Sequence, residues 1–402
     1  MRTDFIVPTC LSWLVLTLLL GSCATTSCSS VETRRALRPP TPEVERDLQD
    51  VLDKHRIVTA GLGILVDGKL TWALYHGDAS PGEPANAATR FNVASITKTV
   101  TAETALRLVE AGELDLDESL GAYWIDPDIT GDQRLQLLTA RTVLTHTTGF
   151  PNWRFFRSDG KLAFARAPGE AYGYSGEGFE YLARAIANKL QRPFPQVVQE
   201  LVFEPAGMRH AVMEIRRDGL RDVAIPVDDE GTAHPVWCRP NGGCRKEGSY
   251  SAADDMLVTV PDYARFLAMV ARDESDYAGT PFARGSVLVD TGADTVVNCD
   301  EGTAVECPRA QGYGLGFQVV EYDAMRILGH GGNDWAEVAL GYVRLPTRDG
   351  LIVFLNAPNR RGLAAMPELV ELLDPDSPFA GQYRRWLVRD REQRTRTQQA
   401  DK

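Results

Sequence analysis

The chain has few of the residues that build metal sites or disulfide scaffolds. Only six histidines occur among its 402 residues, and no two of them form an H-E-x-x-H pattern. A zinc-dependent hydrolase is therefore not expected. Seven cysteines are too sparse to hold a chain of this length together, so a core of ordinary size must carry its stability.

An excess of positive charge is also missing. Lysine and arginine number 43 against 55 aspartates and glutamates, which gives a net charge of −12. Because contacts with phosphates dominate affinity for nucleic acids, this balance argues against a nucleic-acid partner. Glycine (35) and proline (23) are too few for a collagen-like chain, and 44% apolar with 24% charged residues is typical of a soluble globular protein.

Long apolar runs are missing except near the amino terminus. Residues 10–20 are almost wholly apolar, which is too short for a transmembrane helix but suits a signal peptide over residues 1–22. Leu20-Gly-Ser-Cys23 resembles a bacterial lipobox, so we expect a lipid on Cys23; ordinary cleavage near Ala24 is the alternative. Both interpretations predict export. The lipobox interpretation also predicts a cell-envelope lipoprotein, anchored by its lipid on the periplasmic side of a bacterial membrane.

Beyond the signal segment with Cys23, and beyond Cys28, four cysteines form two close pairs, Cys238 with Cys244 and Cys299 with Cys307. Four cysteines allow three connectivities, of which the local pairing closes two small loops and is the easiest to form. A metal site is the alternative, but neither pair has zinc spacing and neither encloses a histidine. We therefore expect disulfides and no metal.

Both ends of the globular region are strand-like, and its middle is helical. Apolar runs over 57–90 and 310–360 predict strands, with Asp67-Gly68 as a hairpin turn. Residues 94–220 carry mostly helical spacing. The fold class is therefore mixed α/β (α+β), with one sheet built from both ends of the chain and an inserted helical region.

The domain organisation follows from these patterns. A polar, proline-bearing tether over 23–42 precedes one domain over 43–365, and a charged, solvated tail follows over 366–402. Residues 221–250 and 271–311 are irregular, and we expect them to be surface insertions that shape a substrate pocket.

The first candidate catalytic motif is Ser95-Ile-Thr-Lys98. Apolar residues at 102, 105, 106 and 109 share one helical face, and Lys98 and Ser95 continue that face backwards. Burial lowers the pKa of a lysine and can make it a base near neutral pH, and a serine one turn away is then an activated nucleophile. The alternative is a structural serine at the helix start with a lysine that reaches solvent.

Five further segments follow the first in an order that resembles the serine β-lactamase and penicillin-binding family, in particular its class C-like branch. The six segments are Phe91–Lys98, Leu144–Pro151, Pro168–Ser175, Phe203–Met208, Val258–Phe266 and His330–Gly332. The resemblance covers residues 57 to 356. It implies a β-lactamase/transpeptidase-like fold, an antiparallel sheet flanked by helices, and no cofactor.

The resemblance also assigns roles to individual residues. Tyr174 would face Ser95 and help to move its proton, with Lys98 as the neighbouring cation that a basic phenol needs. The backbone N–H groups of Ser95 and Asn333 would hold the oxyanion. His330 and Gly332 would lie on an edge strand beside the serine, where glycine lets a substrate approach. His146 is expected to be structural.

Two departures from the family pattern bear on the substrate. Gly176 stands where the family has an asparagine whose amide binds the substrate, and the loss of one such hydrogen bond costs about 1–3 kcal/mol. His330 replaces the usual lysine, so a fixed cation for a β-lactam carboxylate is missing. We therefore expect small esters to react faster than β-lactams. Gly176→Asn should narrow that gap if neighbouring side chains leave room.

The sequence thus predicts an exported serine hydrolase that forms an acyl-enzyme on Ser95 and cleaves an ester or amide. Its partner would be a small ester, a peptide or a β-lactam-like compound. Two alternatives remain: a cell-wall D-Ala peptidase with the same machinery, and a sensor lipoprotein that binds or acylates without turnover.

Overall fold

The structure, a computed structural model, describes residues 36–400 except 217, 219, 277, 278, 281, 282 and 300–305. The expected signal peptide and Cys23 lie outside the described residues. The helices are α1 Pro42–Lys54, α2 Thr97–Glu110, α3 Ala140–Leu144, α4 Gly176–Leu190, α5 Phe194–Val198, α6 Glu204–Ala206, α7 Val260–Asp276, α8 Asn359–Leu373 and α9 Phe379–Ala400. The strands are β1 Thr59–Val66, β2 Lys69–Ser80, β3 Glu83–Pro84, β4 Phe91–Asn92, β5 Leu257–Val258, β6 Ala310–Tyr313, β7 Gln318–Glu321, β8 Arg326–Asn333, β9 Glu337–Leu345 and β10 Gly350–Asn356.

Eight strands form one sheet in the order β3-β2-β1-β10-β9-β8-β7-β6, and the neighbours are antiparallel. The first and last strands of the domain therefore meet at its centre, where Thr59–Leu65 pair with Gly350–Asn356. Asp67 and Gly68 join β1 to β2 with positive φ angles of 49° and 72°, as a tight hairpin turn requires. The predicted antiparallel sheet from both ends of the chain is confirmed.

Helices cover both faces of the sheet. One apolar cluster joins α1, α8 and the start of α9 to strand residues such as Leu62 and Ile64. The other joins α2, α4 and α7 to the opposite face through residues such as Ile352 and Phe354. Side chains alternate between the two faces of a strand, so β10 contributes to both clusters.

The region after residue 365 differs from the expected solvated tail. Leu369 and Val370 of α8 and Phe379 and Tyr383 of α9 are fully buried, and the Tyr383 hydroxyl donates a hydrogen bond to the carbonyl of Ala339 in β9. The many arginines of residues 384–396 masked the apolar spacing of the first turns of α9. This helix is therefore part of the fold.

The helical region is more broken than its sequence pattern suggests. Helix α2 ends at Glu110, before Gly112 with φ 72°, and short 3₁₀ turns replace a continuous helix up to Leu137. Every residue of α2 from Thr97 to Leu106 is buried, so the apolar stripe is not its only packed face. Threonine hydroxyls satisfy the polar side: Thr101, for example, donates to the carbonyl of Ala252 at 2.6 Å.

The two insertions are tied to the domain. Cys238 is bonded to Cys244 and Cys299 to Cys307, which is the local pairing. The second insertion is not wholly a surface loop, because Arg284 is buried and its Nε donates to Glu103 of α2 at 2.8 Å. A buried ion pair of this kind fixes the insertion against the helix that carries Lys98.

Candidate active site

Ser95 and Lys98 lie next to each other at the start of α2. Ser95 belongs to a 3₁₀ turn over Ala94–Ile96, and Lys98 Nζ donates to Ser95 Oγ at 3.0 Å. Ala94 adopts a left-handed conformation (φ 46°), which is strained for a residue with a side chain and is typical of positions next to a nucleophile. Ser95 stays partly exposed while Lys98 is fully buried.

Lys98 does not reach solvent. A second hydrogen bond runs from its Nζ to the carbonyl of Ala253 at 2.7 Å. Burial lowers the pKa of Lys98 to about 8, although the nearby carboxyl groups of Asp254 and Glu180 act in the opposite direction. A large share of Lys98 is therefore neutral near pH 8 and able to accept the proton of Ser95.

A two-stranded sheet brings the partners of Lys98 into place. Strands β4 and β5 pair Phe91 with Val258 and Asn92 with Leu257. This pairing places the segment before β5, which includes Ala253 and Asp254, beside the first turn of α2. The backbone N–H of Met256 donates to Thr97 Oγ1 at 3.1 Å and locks the two segments together.

Tyr174 is the third member of the group. Its ring centroid lies 4.9 Å from Lys98 Nζ, and its hydroxyl lies close enough to the Ser95 side chain for Ser95 to influence its pKa. Burial raises the pKa of Tyr174 above the usual value, against the smaller lowering by Ser95. The phenol is therefore neutral near pH 7. This favours Lys98 as the base and Tyr174 as a group that relays a proton, rather than the phenolate that the sequence suggested.

His146 holds Tyr174 in position. It is fully buried, its Nδ1 accepts a hydrogen bond from the backbone N–H of Ser175 at 3.0 Å, and its ring lies 4.2 Å from that of Tyr174. Ser175 then caps α4, because its Oγ accepts from Gly178 N at 3.1 Å. The expected structural role of His146 thus includes fixing the start of the helix behind the tyrosine.

The last four residues of β8 form the opposite wall. Strand β8 lies between β9 and β7, and is not the edge strand that the resemblance implies. Its pairing with β7 stops at Gly329, however, while its pairing with β9 continues to Asn333. Residues 330–333 thus leave one backbone edge without a strand partner among the described residues. Unpaired backbone groups of this kind can bind a substrate.

Gly332 has a different role from the one expected. A Cβ at this position would lie 2.2 Å from the carbonyl oxygen of Val93, two residues before the nucleophile. The glycine therefore lets β8 approach the segment that carries Ser95, rather than making room for a substrate. This close approach brings His330 and Asn333 to the cavity over Ser95.

His330 is a buried, neutral imidazole. Its Nδ1 lies 2.6 Å from the carbonyl of Gly331, so Nδ1 carries the proton and Nε2 is an acceptor. Burial first and the charge of Lys98 second lower the pKa of His330 to about 3. Nε2 is buried and has no hydrogen-bond partner among the described residues. His330 is thus not a cation, as the departure from lysine predicted.

Gly176 faces an aromatic ring instead of open space. A Cβ on Gly176 would lie 2.5 Å from Cζ2 of Trp153 and 2.6 Å from Cη2. The indole therefore occupies the volume into which an asparagine at residue 176 would extend. We expected Gly176→Asn to narrow the gap between esters and β-lactams if neighbouring side chains leave room, and Trp153 does not leave that room.

Asn152 supplies an amide close to this position. Its Oδ1 accepts from the backbone N–H of Gly176 at 3.0 Å, and the residue lines the cavity over Ser95. The Asn333 side chain is held differently, because its Oδ1 accepts a hydrogen bond from Asn359. Both residues line the cavity, so each can present its amide to a substrate.

One cavity of about 460 Å³ lies over the nucleophile. Ser95, Tyr174, His330 and Asn333 all line it, whereas Gly176 and Gly332 are not among its lining residues. The structure thus brings the predicted nucleophile, tyrosine and β8 residues together. The remaining lining residues come from the 152–156 segment, the segment before α4, both insertions, the 251–256 segment, β7, β8 with the residue after it, and α9: Asn152, Trp153, Phe155, Phe156, Tyr172, Arg239, Asp254, Asp294, Gln318, Gly331, Asp334, Gln382, Trp386, Arg389, Asp390 and Gln393.

Three functional residues were missed from the sequence. Trp386 lines the cavity from α9, and the spacing of residues 379, 380, 383 and 386 was a helical signal hidden by the arginines that follow. Asp254 lies in a short loop with no periodic pattern to mark it. Trp153 is the second residue after the L-T-H-T-T-G-F-P segment, yet nothing in the sequence indicates that it packs on Gly176.

Two general features complete the description of this site. In residues 36–400, as far as they are described, no group of three or more His, Cys, Asp or Glu side chains has a geometry that could hold a metal ion. Over the same residues, no helix is long and apolar enough to cross a membrane.

Solved structures share this fold. A penicillin-binding protein homologue from Pyrococcus abyssi, described as octameric, has a TM-score of 0.63 at 20% identity, over 86% of this chain and 81% of its own. A class C β-lactamase has a TM-score of 0.62 at 16% identity, over 82% of this chain and 94% of its own. At these identities the likeness shows the β-lactamase/transpeptidase fold and not an activity.

Sequence relatives point to the same group. The D-alanyl-D-alanine-carboxypeptidase/endopeptidase AmpH of Escherichia coli (strain K12) is 23% identical over 58% of this chain, and Esterase EstB of Burkholderia gladioli is 30% identical over 51%. The chain spans 66% and 65% of the lengths of these two curated relatives. The sequence model of the Beta-lactamase family matches residues 44–373, which is most of the chain. The protein therefore belongs to the Beta-lactamase family.

Proposed function

We propose that the protein is a serine hydrolase that cleaves small esters through an acyl-enzyme on Ser95. The hydrogen bond of 3.0 Å from Lys98 Nζ to Ser95 Oγ is the observation that carries this proposal. Members of the Beta-lactamase family are serine hydrolases that act on ester, peptide or β-lactam substrates. Ser95, Lys98 and Tyr174 supply the nucleophile, base and proton relay that such a reaction needs.

The acylation step follows from this geometry. Neutral Lys98 accepts the Ser95 proton as Oγ attacks the ester carbonyl, and the backbone N–H groups of Ser95 and Asn333 stabilise the oxyanion. As the intermediate collapses, the C–O bond to the leaving alcohol breaks, and a proton passes to that alcohol from Lys98 through the Tyr174 hydroxyl. Water then attacks the acyl-enzyme with the same groups in the reverse order, which releases the acid and restores Ser95.

Two contacts that a β-lactam would use are missing from this cavity, and their loss favours esters over β-lactams. The imidazole of His330 is neutral and cannot pair with a β-lactam carboxylate, and Trp153 fills the place of the asparagine that is missing at Gly176. An ester requires neither contact. The similarity to Esterase EstB of Burkholderia gladioli also supports an ester substrate.

The test compares kcat/KM for a butyryl ester and a cephalosporin on the same protein. We expect the ester to be favoured by at least ~10-fold, the equivalent of one lost hydrogen bond of about 1.4 kcal/mol. Ser95→Ala is the control, which should hydrolyse neither compound. A cephalosporin preference would sink the assignment as an esterase, and a single burst without turnover on every ester would favour the sensor instead.

We also propose that the protein is exported and lipid-anchored through Cys23. This rests on the apolar run over residues 10–20 and on the Leu20–Cys23 segment alone. Metabolic labelling with a fatty acid should tag the wild type and spare Cys23→Ser. Equal labelling of the two proteins, or none, would exclude the anchor.

A further inference from the structure

The wall of the cavity over Ser95 is rich in hydrogen-bond acceptors. Three of its buried acceptors, His330 Nε2, Gln318 Oε1 and Gln382 Oε1, have no hydrogen-bond partner among the described residues. His330 is 3% exposed and Gln318 9%. Because Nδ1 of His330 donates to Gly331, Nε2 can only accept in the neutral ring. A buried acceptor without a partner costs free energy, so a substrate that donates hydrogen bonds to these acceptors would be stabilised in the cavity.

The charged lining residues add to this preference. The lining contains four aspartates, Asp254, Asp294, Asp334 and Asp390, against two arginines, Arg239 and Arg389. Both arginines already form ion pairs, Arg239 with Asp334 at 2.9 Å and Arg389 with Asp294 at 2.6 Å. Asp254 is buried and touches the cavity without an arginine of its own among the ion pairs of the described residues. Asp390 pairs with Arg394 at 3.0 Å, so Asp254 is the lining carboxyl that is left to attract a cation.

Aromatic faces complete the surroundings. Trp153, Tyr172 and Trp386 line the cavity from three different segments. Aromatic faces attract a cation, and the attraction grows when the cation loses its water. Lys98 would oppose a second cation, but its ammonium lies beneath Ser95 and points to Ser95 Oγ and the carbonyl of Ala253.

We propose that this cavity selects esters whose acyl chain carries a protonated primary amine. The inference rests on the proposed function, since it names the substrate class of the same site. The ammonium group would donate to one of these open acceptors, Gln318 Oε1, with the aromatic faces of the cavity as further partners. A substrate carboxylate would meet the same acceptors and be repelled.

Buried carboxyls near the site fit this proposal. Burial raises the pKa of Asp254 well above the usual value, and the charges of Asp255 and Asp334 raise it further. A cation in the cavity would favour the ionised form of Asp254. Binding of an ammonium group beside Asp254 would thus lower the pKa of this carboxyl.

Three p-nitrophenyl esters of equal chain length form the test: those of ε-aminocaproic, heptanoic and pimelic acid. They end in an ammonium, a methyl and a carboxylate group. We expect kcat/KM of the wild type to fall in that order, with the ammonium ester at least ~10-fold above the methyl ester. Equal or faster hydrolysis of the heptanoate would overturn the inference and leave the proposed esterase intact.

Two variants at one position sharpen the result. Gln318→Leu removes the acceptor and should reduce the ratio of ammonium to methyl ester several-fold. Gln318→Glu adds a carboxylate and should increase it. Glu110→Gln, at the far end of α2 and exposed, controls for the overall charge of the protein and should leave the ratio unchanged. If neither Gln318 variant changes the ratio of kcat/KM for the ammonium ester to that for the methyl ester, the assigned contact between Gln318 and the ammonium group is wrong.

A binding measurement separates this inference from catalysis. The Ser95→Ala variant should bind hexylamine more tightly than hexanol. Binding is measured by tryptophan fluorescence, to which Trp153 and Trp386 in the cavity wall contribute. Absence of hydrolysis of all three esters by the wild type would refute the proposed function. Tighter binding of the amine would still support the cation site in that case, and equal or weaker binding would refute it.

Discussion

The indole of Trp153 covers Gly176 so closely that a Cβ there would lie 2.5 Å from the ring. This contact replaces the asparagine of the family pattern with an aromatic wall. It also ties the 152–156 segment to the first turn of α4, where Asn152 Oδ1 accepts from Gly176 N.

The contact predicts the effect of a substitution at residue 176. Gly176→Asn should lower stability by about 1–3 kcal/mol, because the added atoms must displace a packed ring. It should not raise cephalosporin turnover, contrary to what the sequence alone suggests. Thermal unfolding and kcat/KM for both substrate classes check this.

The matched control adds room at the same place. In a protein that already carries Trp153→Ala, the further substitution Gly176→Asn should lower the free energy of unfolding by less than it does in the wild type. If Gly176→Asn with intact Trp153 kept full stability and hydrolysed cephalosporins faster, the indole would be no obstacle.

The state of Lys98 predicts the pH dependence of the reaction. Lys98 must be neutral to accept the Ser95 proton, and its pKa is lowered to about 8. The kcat/KM of an ester should therefore rise with pH and level off above that value. A profile that is flat from pH ~6 to ~9, or that falls over this range, would exclude Lys98 as the base.

Asp254 should tune that profile. Its charge raises the pKa of Lys98, against the larger effect of burial. Asp254→Asn removes the charge, so the protonated lysine is less stable and the rising limb should move to lower pH. Asp128→Asn, a carboxyl that pairs with Arg154 outside the cavity, serves as the control and should leave the limb in place. A shift of the rising limb to higher pH in Asp254→Asn would contradict the argument.

Helix α9 predicts a combined loss of stability and activity. Trp386 packs against Gly331 of β8, where a Cβ would lie 2.8 Å from its ring, and it lines the cavity. Trp386→Ala should cost about 2–4 kcal/mol and raise KM for esters. Val388→Ala, on the exposed side of the same helix, should change neither. Equal effects of the two variants would mean that α9 is only a surface helix.

Much of the site could be predicted because its chemistry is local in sequence. Ser95 and Lys98 are one helical turn apart, so their contact follows from helix geometry. The hairpin at Asp67-Gly68 is local in the same way. Tyr174 and His330 required the resemblance to a family, since no periodic pattern joins residues 79 and 235 positions away from Ser95.

The missed features all depend on contacts between distant segments. The packing of Trp153 on Gly176 and of Trp386 on Gly331 is fixed by tertiary structure, which residue patterns do not encode directly. The pKa of Tyr174 is likewise set by burial, so its role as a neutral relay was visible only in the folded protein. The charged end of α9 misled for another reason: composition averaged over residues 381–402 hid its apolar first turns.

The most direct test of the account is the mass of the acyl-enzyme and its position in the chain. A fluorophosphonate or a slowly hydrolysed ester should add one acyl or phosphonyl group to the wild type and none to folded Ser95→Ala. Peptide mapping should place the group on Ser95. Modification of Ser175 or Ser249 instead, or unchanged labelling of Ser95→Ala, would contradict the central claim that Ser95 is the nucleophile.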